Sequence, residues 1–300
     1  MSRQLLTLLG LTCLLGCEAA PLDVIHERAQ SPVPTEPPHY GTPVRIEALA
    51  LAGPDDDPTF TADRLELYFS SNRSGGEDIW RSTRVSVDEP WGTPSLVNEL
   101  NGEFIDATPG IAPDGLTIWF ESTRRATDQD LTSTDIFVSQ RSARDAVWSE
   151  PTLVSELSTA GRDSAPMPSS SLLLSFSSWR DGGVGDTDIY ATLRTSASSP
   201  WGPASLLAEA SSDSWDQGLL RGDGSQLFIS SGRSSELGGG NLFWSARSSL
   251  SSSFGAPVLL TDLCTDADEQ DIWVSETLDY VVFASDRDGD LDLYEASGQP

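Results

Sequence analysis

Carboxylates are the reactive side chains this chain carries in number. Among its 300 residues, 46 are acidic and 18 basic, a net charge of -28. An aspartate recurs at the head of successive apolar runs, at Asp55, Asp106, Asp163, Asp213 and Asp268. Asp56, Asp57, Asp216 and Asp271 add charge beside them. Converging carboxylates raise one another's pKa or recruit a cation. In pairs they can also cleave glycosidic bonds, one acting as acid and the other as base or nucleophile. The quieter reading is that each Asp accepts backbone N–H bonds in the loop leading into a strand. Near the end of the chain, Asp286, Asp288, Asp290 and Asp292 alternate around Gly289, as oxygen ligands of a calcium loop do. Asp286 and Asp292 are ordinary repeat positions, however, so a hairpin turn is the expected structure there.

Other residues narrow the chemistry. Every basic residue is Arg, and the only histidines are His26 and His39. A His-based triad or a His-rich zinc site in the main body is therefore excluded. The acidic field repels phosphate backbones, so nucleic acid is not an expected partner. Cys264 reads as a small buried hydrophobe in a strand.

The elements that must hold these residues are repeated. The runs "LELYFSSNR", "LTIWFESTR", "LLLSFSSWR", "SQLFISSGR" and "DYVVFASDR" end on Arg73, Arg124, Arg180, Arg233 and Arg287. An Asp (or Asn), an aliphatic and an aromatic follow each, at 78, 135, 188, 241 and 292. Arg and Asp recur together, which predicts an ion pair between the Arg and this following Asp. Trp91, Trp148, Trp201, Phe254 and Tyr40 share a further position, read as core. Trp215 breaks the repeat and is a candidate for stacking on a sugar or holding a peptide.

Four short strands per unit of about 50 residues, with Gly-rich turns and no helical periodicity, predict an all-β, five-bladed β-propeller with four-stranded blades. The blades are expected at 55–100, 106–157, 163–210, 213–263 and 268–296. The last is a strand short. "HYGTPVRIEAL" (39–49) matches "PWGTPSLVNEL" (90–100), so residues 39–51 should complete it and close the ring.

The repeat, carried by "DATPGIAPDGLTIWFESTR…DIFVS" (106–139) and its counterparts, resembles the WD40-like propeller repeat of TolB and of modules found beside OmpA-type domains. The resemblance covers 39–296 and does not extend to an OmpA-type domain. It implies a non-enzymatic binding or scaffold protein. Glycoside hydrolase chemistry at the channel mouth is the alternative. Against it stands the repeat itself, since equivalent positions do not push two pKa values apart.

Ahead of the repeats, "MSRQLLTLLGLTCLLGC" reads as a signal peptide, 1–16, ending in a lipobox. Cys17 is then the lipidated residue, and 17–38 is a Pro-rich tether. The domain is expected at 39–300. These features imply an exported lipoprotein of the bacterial envelope, periplasmic or cell-surface, that meets the membrane through its lipid anchor only. Its expected partner is an envelope protein or glycan. No cofactor beyond calcium is expected.

Overall fold

The computed structural model describes residues 34–51, 53–125 and 133–299. The expected signal peptide, the expected lipidation site Cys17 and the expected tether up to residue 33 lie outside them. Within them, five antiparallel sheets of four strands each stand side by side. Blade one is β2 (Asp55–Phe60), β3 (Glu66–Ser71), β4 (Asp78–Thr83) and β5 (Ser95–Leu96). Blade two is β6 (Asp106–Ile111), β7 (Thr117–Ser122), β8 (Asp135–Gln140) and β9 (Thr152–Leu153). Blade three is β10 (Asp163–Pro168), β11 (Leu173–Ser178), β12 (Asp188–Leu193) and β13 (Ser205–Leu206). Blade four is β14 (Asp216–Arg221), β15 (Gln226–Ser231), β16 (Asn241–Ala246) and β17 (Val258–Leu259). Blade five is β18 (Glu269–Val274), β19 (Tyr280–Ser285), β20 (Asp292–Ser297) and, from the other end of the domain, β1 (Val44–Arg45).

The closure follows the expected register. Val44 faces Glu295 and Arg45 faces Tyr294, while Arg45 also reaches Asp292 at 3.2 Å. The innermost strands touch in the cyclic order β2, β6, β10, β14, β18 and back to β2, so the ring is complete. The second strands β3, β11, β15 and β19 are buried at every position. Both their faces pack on neighbours, which is why their sequences are near-continuous apolar and small-residue runs rather than alternating ones. No helix among the described residues is long and apolar enough to cross a membrane.

The core aromatics are where the repeat put them, and a second arginine series stacks on them. Arg84, Arg141, Arg194 and Arg247 lie 4.2–4.5 Å over Trp91, Trp148, Trp201 and Phe254. In blade five Gly298 bridges Tyr40 instead, and the buried Tyr40 hydroxyl has no hydrogen-bond partner among the described residues.

Two features of the inner strands shape the channel. Four of them bulge after their second residue, which places Asp57, Thr108, Ala165 and Asp271 at φ 50°, 48°, 45° and 57°. A bulge re-aims the side chains beside it. Blade four has no bulge and runs through Gly218 in regular register. The strands also close in on each other: a Cβ on Gly110 would stand 1.8 Å from the Pro166 carbonyl oxygen. Only glycine fits there, and two separate cavities remain at opposite ends of the channel.

Candidate functional site

The first strand residue of each blade is an acid, but not always the one the spacing suggested. Register places Asp55, Asp106, Asp163, Asp216 and Glu269 at equivalent positions. Asp213 and Asp268 lie ahead of their strands and are displaced from this series. Asp213 and Asp268 stand three residues before Asp216 and Asp271, the same spacing that separates Asp55, Asp106 and Asp163 from Pro58, Pro109 and Pro166, and this mimics the repeat. The five true members are fully buried and do not line an open ring.

Their partners are the repeat arginines. Arg73 pairs with Asp55, Arg124 with Asp106 at 2.8 Å, Arg180 with Asp163 at 2.8 Å, Arg233 with Asp216 at 2.7 Å and Arg287 with Glu269 at 2.9 Å. This corrects the expected pairing with the Asp of the third strand, since the guanidinium turns back to the innermost strand. The same Nη2 also donates to a carbonyl in the preceding connection, Leu100 at 2.6 Å and Leu157 at 2.7 Å for example. Each Arg therefore clamps the crossing between blades, and the acid series is structural.

The acids that do gather are the ones that break the repeat. At the mouth where the inner strands begin, a cavity of about 230 Å³ is lined by Asp56, Asp57, Glu77, Glu121 and Asp271, by Asp216, which Arg233 already pairs, and, among the described residues, by the single guanidinium of Arg162. Asp57 and Asp271 are bulge residues of β2 and β18. Glu77 precedes β4, and Glu121 sits in β7 where the other second strands carry Ser70, Ser177, Ser230 and Ala284. Arg162, one residue ahead of Asp163, holds Glu121 at 2.9 Å. Among the described residues, Asp56, Asp57 and Glu77 form the one group of three or more ligand-type side chains whose donor atoms lie within 4.8 Å of one another.

Burial sets the electrostatics. It pushes the Asp56 and Asp57 carboxyls well above the usual range, and the charges of Asp271 and Glu77 push the same way. Asp271 is raised to about 6 by burial, against hydrogen bonds from Asp57 and Gln217 that lower it. Burial raises Glu77 and Glu121 too, and Arg162 opposes it in both. One guanidinium cannot neutralise five carboxylates, so the mouth must take up protons or cations. Two neutral groups point the same way. Ser164, buried in β10, lines the cavity with a hydroxyl that has no hydrogen-bond partner among the described residues. The Gln217 Oε1 is buried there without one as well.

The remaining candidates are accounted for individually. Trp215 lines the same cavity, half-buried, just ahead of β14 rather than within it. The four aspartates near the C-terminus do not converge. Asp286 accepts the Asp268 N–H at 2.9 Å, Asp288 accepts the Tyr294 hydroxyl at 2.6 Å, Asp292 pairs with Arg45, and Asp290 is exposed. Cys264 lies in the turn after β17, not in a strand. Its Sγ accepts the Leu242 N–H at 3.2 Å, and burial pushes its thiol up to about 12. That is too high for a nucleophile at neutral pH.

No family model matches the sequence, and no curated protein does. Solved structures do. A family 117 glycoside hydrolase from the marine bacterium Zobellia galactanivorans has a TM-score of 0.58 at 11% identity, over 87% of this chain and 90% of that one. The catalytic domain of a Coprinopsis cinerea GH62 α-L-arabinofuranosidase has a TM-score of 0.55 at 10% identity, over 87% and 97%. TolB from Acinetobacter baumannii has a TM-score of 0.48 at 16% identity, over 84% of this chain, which spans 56% of that TolB chain. At these identities the likeness is one of fold. The class the fold defines is a five-bladed β-propeller.

Proposed function

We propose that the chain is a non-enzymatic binding module of the bacterial cell envelope, lipid-anchored through Cys17, which engages its partner at the acidic mouth. The observation that carries this reading is the gathering, around a single cavity, of five carboxylates besides the Arg233-paired Asp216, against the one guanidinium of Arg162 among the described residues. Such a wall selects a cation, or a partner rich in amine or hydroxyl donors: a basic segment of an envelope protein, or a glycan. Asp56, Asp57 and Glu77 supply the hard oxygen ligands that calcium prefers. The test is thermal unfolding of the full chain at about 1 mM calcium, a concentration at which extracellular sites fill. Calcium should raise Tm, and Asp56→Asn with Glu77→Gln should remove the response. An unchanged Tm in the wild type, together with no binding of a polylysine probe, rejects the acidic mouth as the binding site.

One observation favours a second reading, a glycoside hydrolase. The mouth acids are not all equivalent by repeat: Asp57 and Asp271 sit at inner-strand bulges and Glu121 in a second strand, where Arg162 opposes the effect of burial. Unequal environments are what acid and base roles require. Release of 4-nitrophenol from 4-nitrophenyl α-L-arabinofuranoside, lost in Asp57→Asn and Glu121→Gln, would support the hydrolase. The binding reading expects no turnover above buffer on this and a panel of other aryl glycosides.

A further inference from the structure

The opposite end of the channel carries the other departure from the repeat. Arg221 ends β14 and faces Gln226. Thr61, Ala112, Ser169 and Ser275 fill the same place in the other blades, each donating its N–H to the first residues of the second strand. Four blades put a small residue at this rim, and one puts a guanidinium.

Arg221 as a whole is 3% exposed, so its side chain is almost entirely out of water. Its Nε donates to the Val274 carbonyl at 2.6 Å and its Nη1 to the Leu220 carbonyl at 3.1 Å. Both partners are neutral. The one carboxylate in reach is Glu276, 3.4 Å from Nη1 and about half exposed, an ion pair without a hydrogen bond. Nη2 has no hydrogen-bond partner among the described residues. Burial pulls the Arg221 pKa down to about 10, so the group stays a cation at neutral pH while its charge is poorly compensated. A buried charge is costly unless it is fully paired, and Glu276 with two carbonyls compensates this one only in part.

A cavity of about 130 Å³ opens beside it, lined by Phe60, Arg64, Ile111, Pro168, Trp273 and Arg221 among others. The other lining side chains are apolar except for Ser275, Thr277 and Glu276. Trp273 backs the guanidinium at 5.4 Å. Arg64 is held by the exposed Asp279 at 3.6 Å and stacks on the Tyr280 ring at 4.9 Å. With Nε and one Nη1 hydrogen committed to carbonyls, the Nη2 donors and the second Nη1 hydrogen are what this low-dielectric pocket offers a carboxylate. The volume admits a carboxylate with a few carbon atoms behind it.

We propose that this end of the channel binds a carboxylate, with Arg221 as its anchor and Arg64 beside it. The exposed Glu276 occupies the approach and competes for the same guanidinium. The carboxylate could belong to a small free acid or to the C-terminus of a polypeptide, since both present the same group.

The experiment is binding of ¹³C-acetate to the full chain by NMR line broadening at constant ionic strength. Saturation in the millimolar range is expected for the wild type. Glu276→Gln should tighten it several-fold by removing the competitor, and Arg221→Gln should abolish it. If Arg221→Gln does not fold, Glu276→Gln decides alone. Broadening that never saturates in the wild type, or an affinity unchanged in Glu276→Gln, overturns the proposal. Displacement of acetate by a tripeptide free acid but not by its amide assigns a polypeptide terminus, and no displacement by either assigns a small acid. None of these outcomes depends on the acidic mouth, whose calcium response is read separately.

Discussion

Arg180→Ala is expected to destabilise the protein by about 3–5 kcal/mol, the range for removing one partner of a buried ion pair. Asp163 is fully buried, and its Oδ1 is shared between Arg180 and the Ser178 hydroxyl at 2.6 Å. Its Oδ2 accepts from the Thr159 N–H at 2.6 Å. Removing the guanidinium leaves that carboxylate with neutral donors only, in a place water does not reach. It also frees the Leu157 carbonyl in the connection from blade two. The loss is a large share of the roughly 5–15 kcal/mol by which domains are stable. Urea unfolding with unchanged m-value measures it. Arg180→Met combined with Asp163→Asn should lose less than Arg180→Ala alone, because no charge remains buried. A loss below about 1 kcal/mol for Arg180→Ala, the value of a surface pair, would mean that the clamp is not what holds the crossing.

Asp271→Asn should do the opposite and stabilise the folded chain above pH 6, by about 2–3 kcal/mol at roughly 1.4 kcal/mol per pKa unit. The folded pKa, about 6, lies above the ordinary value of 3.8. The folded state therefore holds its proton over a window where the unfolded chain has lost it. The stability linked to this group is complete below the unfolded value and disappears as pH rises through the folded one. The wild type should thus lose stability between about pH 4 and pH 6 relative to Asp271→Asn, and the difference between the two curves should be flat outside that window. Asparagine tolerates the backbone here, φ 57°, as aspartate does. The same change should weaken any calcium response, since it removes a neighbouring negative charge. Stability held back at a site is a common mark of function. A pH difference curve that is flat throughout would show that Asp271 ionises as freely as in the unfolded chain, and would remove the electrostatic basis of the mouth site.

How much of this could be read in the sequence depended on whether a residue obeyed the repeat or broke it. Repetition averages out local ambiguity. Five copies of an apolar run ending in Arg, and the match between 39–49 and 90–100, were enough for strand number, blade number and ring closure. The registers that failed, at Asp213 and Asp268, failed where one blade dropped a bulge and another replaced Asp by Glu. Counting residues cannot see a bulge, because it changes the pairing without changing the composition. The partner of the repeat arginines was misjudged for a related reason. Two acids were within reach along the chain, and only packing shows which is buried beside the guanidinium.

Asp56, Asp57 and Asp271 were visible as extra charge, but Glu77, Glu121, Arg162 and Ser164 were not singled out. They sit in four different positions of the repeat unit, on three blades. A usable signal existed in the residues left over once the repeat is subtracted: Glu121 among serines, Arg162 and Trp215 ahead of inner strands, Arg221 among small residues.

The sequence by itself determined the architecture, because each blade must bury the same apolar faces and the ring must be completed by whichever segment matches the missing strand. Only the tertiary structure decided which charges meet. Convergence at the two channel mouths is a product of ring closure, which brings together residues as far apart as 57 and 271, and burial there turns ordinary side chains into ones that need a counter-ion.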